Sequence, residues 1–318
     1  MADRLATRRL PAAAGWLSEY GVYAAIGALL LFNLIATPNF LSLTNIRTQL
    51  LQASPVVVVA LGMALVIGTE GIDLSVGAVM ALAASVLPLY LGYGPVVAVG
   101  VALVVGLAAG TLNGILVARL GIAPIVATLA LLVGGRGLAL VIAHGRLVDI
   151  RNSVVLSLGS AAPLGIPISV LVAAVLAVGT GLLIRATTFG RQLVAIGGNR
   201  SASALSGLPV RRVLVTVYVV CGVFAALAGV LATARLRASD PADVGLLMEL
   251  SAITAVVVGG TPLTGGRVRV AGTVAGALLM QLIVSTLITH DLPSSTAQMV
   301  QAAVIVVAVY IARQRGGR

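Results

Sequence analysis

Apolar stretches of membrane-spanning length recur along this chain from Tyr20 to Ile311. The hydrocarbon core of a bilayer is about 30 Å thick and takes roughly 20 helical residues to cross, so the pattern predicts a polytopic, all-α membrane bundle. Hydrophobic residues make up 59% of the 318 positions and charged residues 9%, a balance that keeps no water-soluble domain of this size in solution. A transmembrane β-barrel would alternate apolar and polar residues over short segments, and Val96–Val105 does not alternate.

About ten spans are expected, over 20–37, 50–69, 74–91, 95–118, 122–143, 166–185, 213–234, 249–263, 270–289 and 296–312. The positive-inside rule orients them. With the N-terminus inside, fourteen arginines fall in inside segments and five outside, and the remaining one, Arg136, lies within a span. Both termini are therefore expected in the cytoplasm. Residues 1–19, with Arg4, Arg8 and Arg9, read as a retained cytoplasmic arm, since a full-length apolar span follows without a signal-peptide cleavage site. All 20 basic residues are arginine. They are scattered among membrane segments rather than clustered with aromatics, which argues against nucleic acid as a partner.

Glycine and polar residues interrupt the apolar pattern around 69–74 and 249–270, where broken or re-entrant helices are expected. The stretch Val66-Ile67-Gly68-Thr69 resembles Val257-Val258-Gly259-Gly260, a hint of an internal repeat of the kind transporters carry. Gly106…Gly110 and Gly272…Gly276 have the spacing of tightly packed membrane helices.

Ionisable groups at membrane depth cost roughly 2.5–3.5 kcal/mol each on insertion scales, so each asks for a reason. Glu70, Asp73, Arg136 and Glu249 are the candidates. Glu70 and Asp73 would repel on one helix face; an unwound chain, with Asp73 and Ser75 capping the next helix, avoids this. Contact of Asp73 with the transported molecule is the other reading. Arg136 has two readings, snorkelling to the outer surface or pairing with a carboxylate. Glu249 suits a helix N-terminus. Asn113, Thr128 and Gln281 are neutral polar residues within spans, where such groups bond between helices or line a pore. Cys221 reads as packing, and no Cys/His spacing suits a metal. His144 and His290 fall where apolar stretches end.

The longest inside connection, 186–212, carries Asn199 to cap a short helix, Gly207 to end it and Pro209 to stop its continuation. Such a surface helix with flanking arginines suits docking of another subunit.

Three stretches make the chain similar to a known family nearly end to end. They are Gly62-Met63-Ala64-Leu65-Val66-Ile67 leading to Gly71-Ile72-Asp73-Leu74-Ser75-Val76-Gly77-Ala78; Phe189-Gly190-Arg191 through Ala195-Ile196-Gly197-Gly198-Asn199 to Ser206-Gly207; and Glu249-Leu250, Ala252-Ile253, Val258-Gly259-Gly260-Thr261 and Gly265-Gly266. The chain resembles the ribose-type permeases of bacterial ABC sugar importers, and around Gly135-Arg136-Gly137 and Asp240–Leu250 looks closest to the galactofuranose type. The resemblance implies one permease domain in the bacterial inner membrane, paired with a second copy or a paralogous permease. It also implies an ABC ATPase subunit on the cytoplasmic face and a soluble sugar-binding protein on the outer face.

The 186–212 loop is similar to the Glu-Ala-Ala-x-x-x-Gly coupling motif of such importers. Ala202 and Gly207 match it, while Ser201 replaces the glutamate and Ser203 the second alanine. Gly197, Asn199, Ala202, Gly207 and Pro209 are the coupling candidates. Glu70 departs from the family, which has glycine before Gly-Ile-Asp. The chain lacks a Gly-x-x-x-x-Gly-Lys phosphate loop and any catalytic constellation, so it is expected to be no enzyme and to carry no cofactor, with ATP bound by the partner subunit. Aromatics are 3% of the chain, leaving few stacking faces for a sugar. An ion-coupled secondary transporter is the alternative class.

Overall fold

The computed structural model describes residues 12–293, 295, 296, 298–300, 302–304 and 306. Among them, seven apolar helical segments are long enough to cross a membrane. They are α2 (Leu43–Gly68), α3 (Val76–Tyr90) with the 3₁₀ turn Leu91–Tyr93, α4 (Pro95–Ala118), α5 (Pro124–Ile142), α7 (Ile168–Ala186), α10 (Val210–Leu236) and α12 (Val270–Thr289). α1 (Ala12–Ala36) packs against α12. α11 (Met248–Val258) has 11 residues where a full span over 249–263 was expected. At 1.5 Å per residue it is about 16 Å long, roughly half a crossing. The expected last span, 296–312, lies largely outside the described residues.

Three short helices sit in the connections: α6 (Ser153–Ser160), α8 (Thr188–Gly198) and α9 (Arg200–Leu205). Two-residue strands β1 (Val148–Asp149) and β2 (Ala238–Ser239) pair antiparallel, Val148 opposite Ser239. The all-α expectation missed this pair, which is too short to leave an alternating pattern.

α10 occupies the middle of the bundle, with α4, α2 and α3 packed on it. Lipid tails are as apolar as leucine, so close van der Waals contact has to hold membrane helices together. Glycine supplies that contact here. A Cβ on Gly110 of α4 would lie 2.8 Å from Val219 Cα of α10, and one on Gly222 would meet Gly110 Cα at 3.0 Å. The second Gly-x-x-x-Gly seam joins α12 to α11, where a Cβ on Gly276 would lie 3.0 Å from Ala255 Cα.

Both expected interruptions are real, and they end their helices in the same way. At the end of α2, Gly71 N–H donates to Val66 O at 3.1 Å and Glu70 N–H to Ile67 O at 2.9 Å. At the end of α11, Thr261 N–H donates to Val256 O at 3.1 Å and Gly260 N–H to Val257 O at 2.9 Å. Each is a Schellman motif, which satisfies carbonyls that the broken helix would otherwise leave bare. The motif corrects the register of the suspected repeat by one residue: Glu70 corresponds to Gly260, and Gly68 to Val258 rather than Gly259.

That correspondence explains Glu70. Its position is left-handed, φ +64°, as is Gly260 at φ +87°. The side chain is exposed, so Glu70 is no buried charge. A residue with a Cβ costs roughly 1–2 kcal/mol in that conformation. Glu70→Gly should raise the thermal unfolding midpoint of the purified protein by a few degrees, a net gain of up to about 1 kcal/mol after glycine's greater unfolded-state freedom is subtracted. A lowered midpoint would mean that the carboxylate makes a contact that outweighs the strain.

Candidate functional site

Between α2 and α3 the chain is unwound, and its polar groups turn inward. Asp73 is 1% exposed. Its Oδ1 accepts from Ser75 N–H at 2.9 Å and from Ser75 Oγ–H at 2.6 Å. Asn113 of α4 donates from Nδ2 to Ser75 Oγ at 2.8 Å, with Asp73 Oδ1 at 3.5 Å. Asp73 therefore holds the first turn of α3. Ser75 does not cap it as expected, because its hydroxyl is engaged with Asp73 and Asn113. Cys221 and Tyr218 of α10, both buried, border the cluster: a Cβ on Gly71 would lie 2.7 Å from the Tyr218 hydroxyl, which has no hydrogen-bond partner among the described residues. Thr128 Oγ–H of α5 donates to Pro124 O at 2.9 Å and lies 3.4 Å from Ile72 O, which ties α5 to the same break.

A second polar centre lies where α11 begins. The chain from Asp240 to Met248 folds in tight turns, with Val244 N–H on Asp240 O and Leu246 N–H on Asp243 O. Arg136 Nη1 donates to both Pro241 O and Val244 O at 2.8 Å. Neither sequence reading of Arg136 is met directly: its hydrogen bonds are to backbone carbonyls, while Glu249 and Asp243 lie within Coulombic range. Glu249 stands in the first turn of α11, where the helix dipole favours a carboxylate. Its Oε2 is buried without a hydrogen-bond partner among the described residues. The starts of α3 and α11 touch here, since a Cβ on Gly77 would collide with Gly245 O and Glu249 Oε2.

Gln281 belongs to neither centre. Its Nε2 donates to Gln52 Oε1 at 2.6 Å, joining α12 to α2, and Gln49 bonds Ser285 on the same seam. His290 lies 3.3 Å from Thr37 Oγ1, beside the Thr37–Asn33–Thr286 chain that binds α1 to α12.

The 186–212 connection holds two helices rather than the single one expected. Thr187 Oγ caps α8 by accepting from Gly190 N–H at 3.1 Å. α8 buries Leu193, Ile196 and Gly197, and Gly197 is pressed against Gly68 O and Gly266 N. Gly266 N–H itself donates to Gly68 O at 3.0 Å. α8 thus touches the end of α2 and the loop that follows α11. Asn199 Oδ1 caps α9 through Ala202 N–H at 2.8 Å. Gly207, at φ +77°, ends it with a Schellman motif, Leu208 N–H on Ser203 O at 3.0 Å. Pro209 follows immediately.

Residues 45–309 match the family model described as the branched-chain amino acid transport system / permease component. The chain belongs to this permease family. Relatives of the permease include the ribose import permease protein RbsC of Escherichia coli strain K12, 36% identical over 302 residues that cover 93% of this chain and 94% of RbsC. The galactofuranose transporter permease protein YtfT of the same strain is 40% identical over 267 residues, 83% of this chain and 78% of YtfT. The fructose import permease protein FruF of Bifidobacterium longum is 38% identical over 266 residues, 82% of this chain and 75% of FruF. No solved structure matches.

Sequence reasoning missed several parts of the permease's polar centres. The carbonyls of Pro241 and Val244 carry no side-chain signal, and Tyr218 looked like an ordinary apolar-span residue. Gln49 and Gln52, one helical turn apart and complementary to Gln281 and Ser285, were findable from spacing alone. Asp73 gives a direct test. Asp73→Asn keeps the acceptor for Ser75 and should retain most of the protein's abundance. Asp73→Leu leaves the buried N–H and Oγ–H of Ser75 without their acceptor, at about 1–3 kcal/mol each, and should lower abundance and thermal stability together. A Leu variant of normal stability that fails to transport would assign Asp73 to the path instead.

Proposed function

We propose that this chain is the membrane permease subunit of an ATP-driven importer for a monosaccharide, a ribose, a galactofuranose or a similar pentose or hexose. It works in the bacterial inner membrane with both termini in the cytoplasm. A soluble binding protein delivers the sugar to the outer face, and two permease copies, or this chain and a paralogue, enclose the path. The chain binds no cofactor; a separate ABC ATPase subunit binds and hydrolyses ATP. The sugar relatives support the cargo, and the family supports the permease role.

The observation that carries the coupling assignment is α9. Ser203 is its one buried residue, while Ser201, Ala202 and Ala204 are exposed and Leu205 is 91% exposed. A capped, rigid helix with small residues and one unburied leucine is a surface prepared for a partner. Arg200, Arg211 and Arg212, all exposed, flank it. Movement of α9 by the ATPase passes to α8, to which it is joined at Asn199, and from Gly197 to Gly68 and Gly266. Both helix breaks lie at the end of that route, so nucleotide-driven motion reaches the two elements least constrained by regular helix.

Leu205→Asp tests the docking. The side chain touches little of its own chain, so the permease should keep its abundance and unfolding midpoint. Loss of a buried leucine from the contact costs on the order of 2 kcal/mol, roughly a 30-fold weaker association with the ATPase, read by co-purification and by sugar uptake per permease. Unchanged retention of the ATPase would remove α9 from the contact.

A further inference from the structure

The start of α11 places charge where lipid cannot solvate it. Helix α3 serves as a ruler: Ser239 Oγ–H donates to Ala84 O at 2.7 Å, and Gly245 packs against Gly77 and Met80. Ala84 is six residues from Tyr90 at the outer end of α3 and Gly77 is thirteen, about 9 Å and 20 Å along the helix. The turn that joins these two levels carries Asp243, which is exposed, as are Leu246 and Leu250 beside it. An exposed carboxylate at that depth faces water or protein, because a charge facing hydrocarbon is too costly.

The neighbouring groups complete a polar strip. Arg136 of α5 is half-buried beneath the turn and within Coulombic range of Asp243 and Glu249. Glu249 Oε2, in a residue 8% exposed, has no hydrogen-bond partner among the described residues. Gly134 and Gly137 leave open space on α5. Elsewhere on α5 the exposed residues Val126, Leu129, Val133 and Val141 are as apolar as Leu171, Val175, Val178 and Leu182 of α7, so the polar face is confined to Arg136 and the turn it holds.

We propose that the face formed by α5 around Arg136 and by residues 240–250 lines the aqueous path, with Asp243 accepting hydroxyl hydrogen bonds from an uncharged sugar as it passes. The proposal rests on the sugar-permease reading and moves the path away from the Asp73 cluster, whose Asp73, Ser75 and Asn113 side chains are all buried. From Gly94 to Thr188 the chain has no aromatic residue, so α5 offers no stacking platform. Hydrogen bonds without stacking hold a sugar weakly, which suits release to the cytoplasm.

The sole cysteine, Cys221, is buried, so introduced cysteines report against a silent background. Asp243→Cys and Val175→Cys would be compared in the complete transporter in membranes, treated from outside with a charged, membrane-impermeant methanethiosulfonate. Asp243→Cys should react at least tenfold faster than Val175→Cys, and sugar-loaded binding protein should slow the reaction; this variant reads access alone. Uptake is read on Leu246→Cys, on the same turn, whose modification should abolish it. Reaction no faster than at Val175→Cys, or complete modification with uptake intact, would overturn the path assignment. Absence of sugar uptake in the unmodified Val175→Cys transporter would overturn the sugar reading instead, a result separable from labelling, which reads access alone.

Discussion

A backbone N–H or C=O in hydrocarbon has no water to fall back on, and this requirement shapes every departure from regular helix in the chain. Two helices stop inside or near the membrane, and each stop is closed by the same pair of backbone bonds, Gly71 to Val66 with Glu70 to Ile67, and Thr261 to Val256 with Gly260 to Val257. Where local backbone bonding runs out, side chains take over. Asp73 accepts the amide of Ser75 at the start of α3, and Arg136 saturates the carbonyls of Pro241 and Val244 ahead of α11. The unwound segments are thus sealed, and α3 and α11 can begin against one another at Gly77 and Gly245.

Close backbone approach then turns these pieces into one body. Gly110 and Gly222 bring α4 onto α10, while Gly276 and Ala255 bring α12 onto α11. Overpacking at such contacts costs about 1–3 kcal/mol, so the seams resist change, and motion is left to the elements that are not zipped. Those are the loops after α2 and α11, and α8 lies against both of them. Close-packed seams surround two helix breaks, and α8 bears on both of them through Gly197.

Much of this was legible in the sequence, for identifiable reasons. The long spans were readable because hydrophobic length is set by the bilayer, and the glycine seams because i, i+4 spacing fixes a helix face. Asn199, Gly207 and Pro209 were readable because caps and stops depend on backbone conformation alone. The interruption at 249–270 was expected, but the start of α11 was not legible, because the tight turns over 240–248 that precede it are held by backbone bonds. The hydrogen bonds of Arg136 were not legible, because carbonyls accept them. By identity Gly68 matches Gly259, whereas the left-handed positions that end the two helices, Glu70 and Gly260, lie one residue out of that register. Asp243 attracted no attention because its depth is a property of the fold.

The central claim is that ATP hydrolysis by a partner drives a sugar through this chain. The most direct measurement is accumulation of radiolabelled sugar in proteoliposomes containing the permease and its ATPase, with the binding protein outside and ATP in the lumen. The account predicts accumulation that requires ATP and the binding protein and that persists when a protonophore collapses the proton gradient. Accumulation without ATP, driven by an imposed proton gradient and abolished by the protonophore, would contradict it.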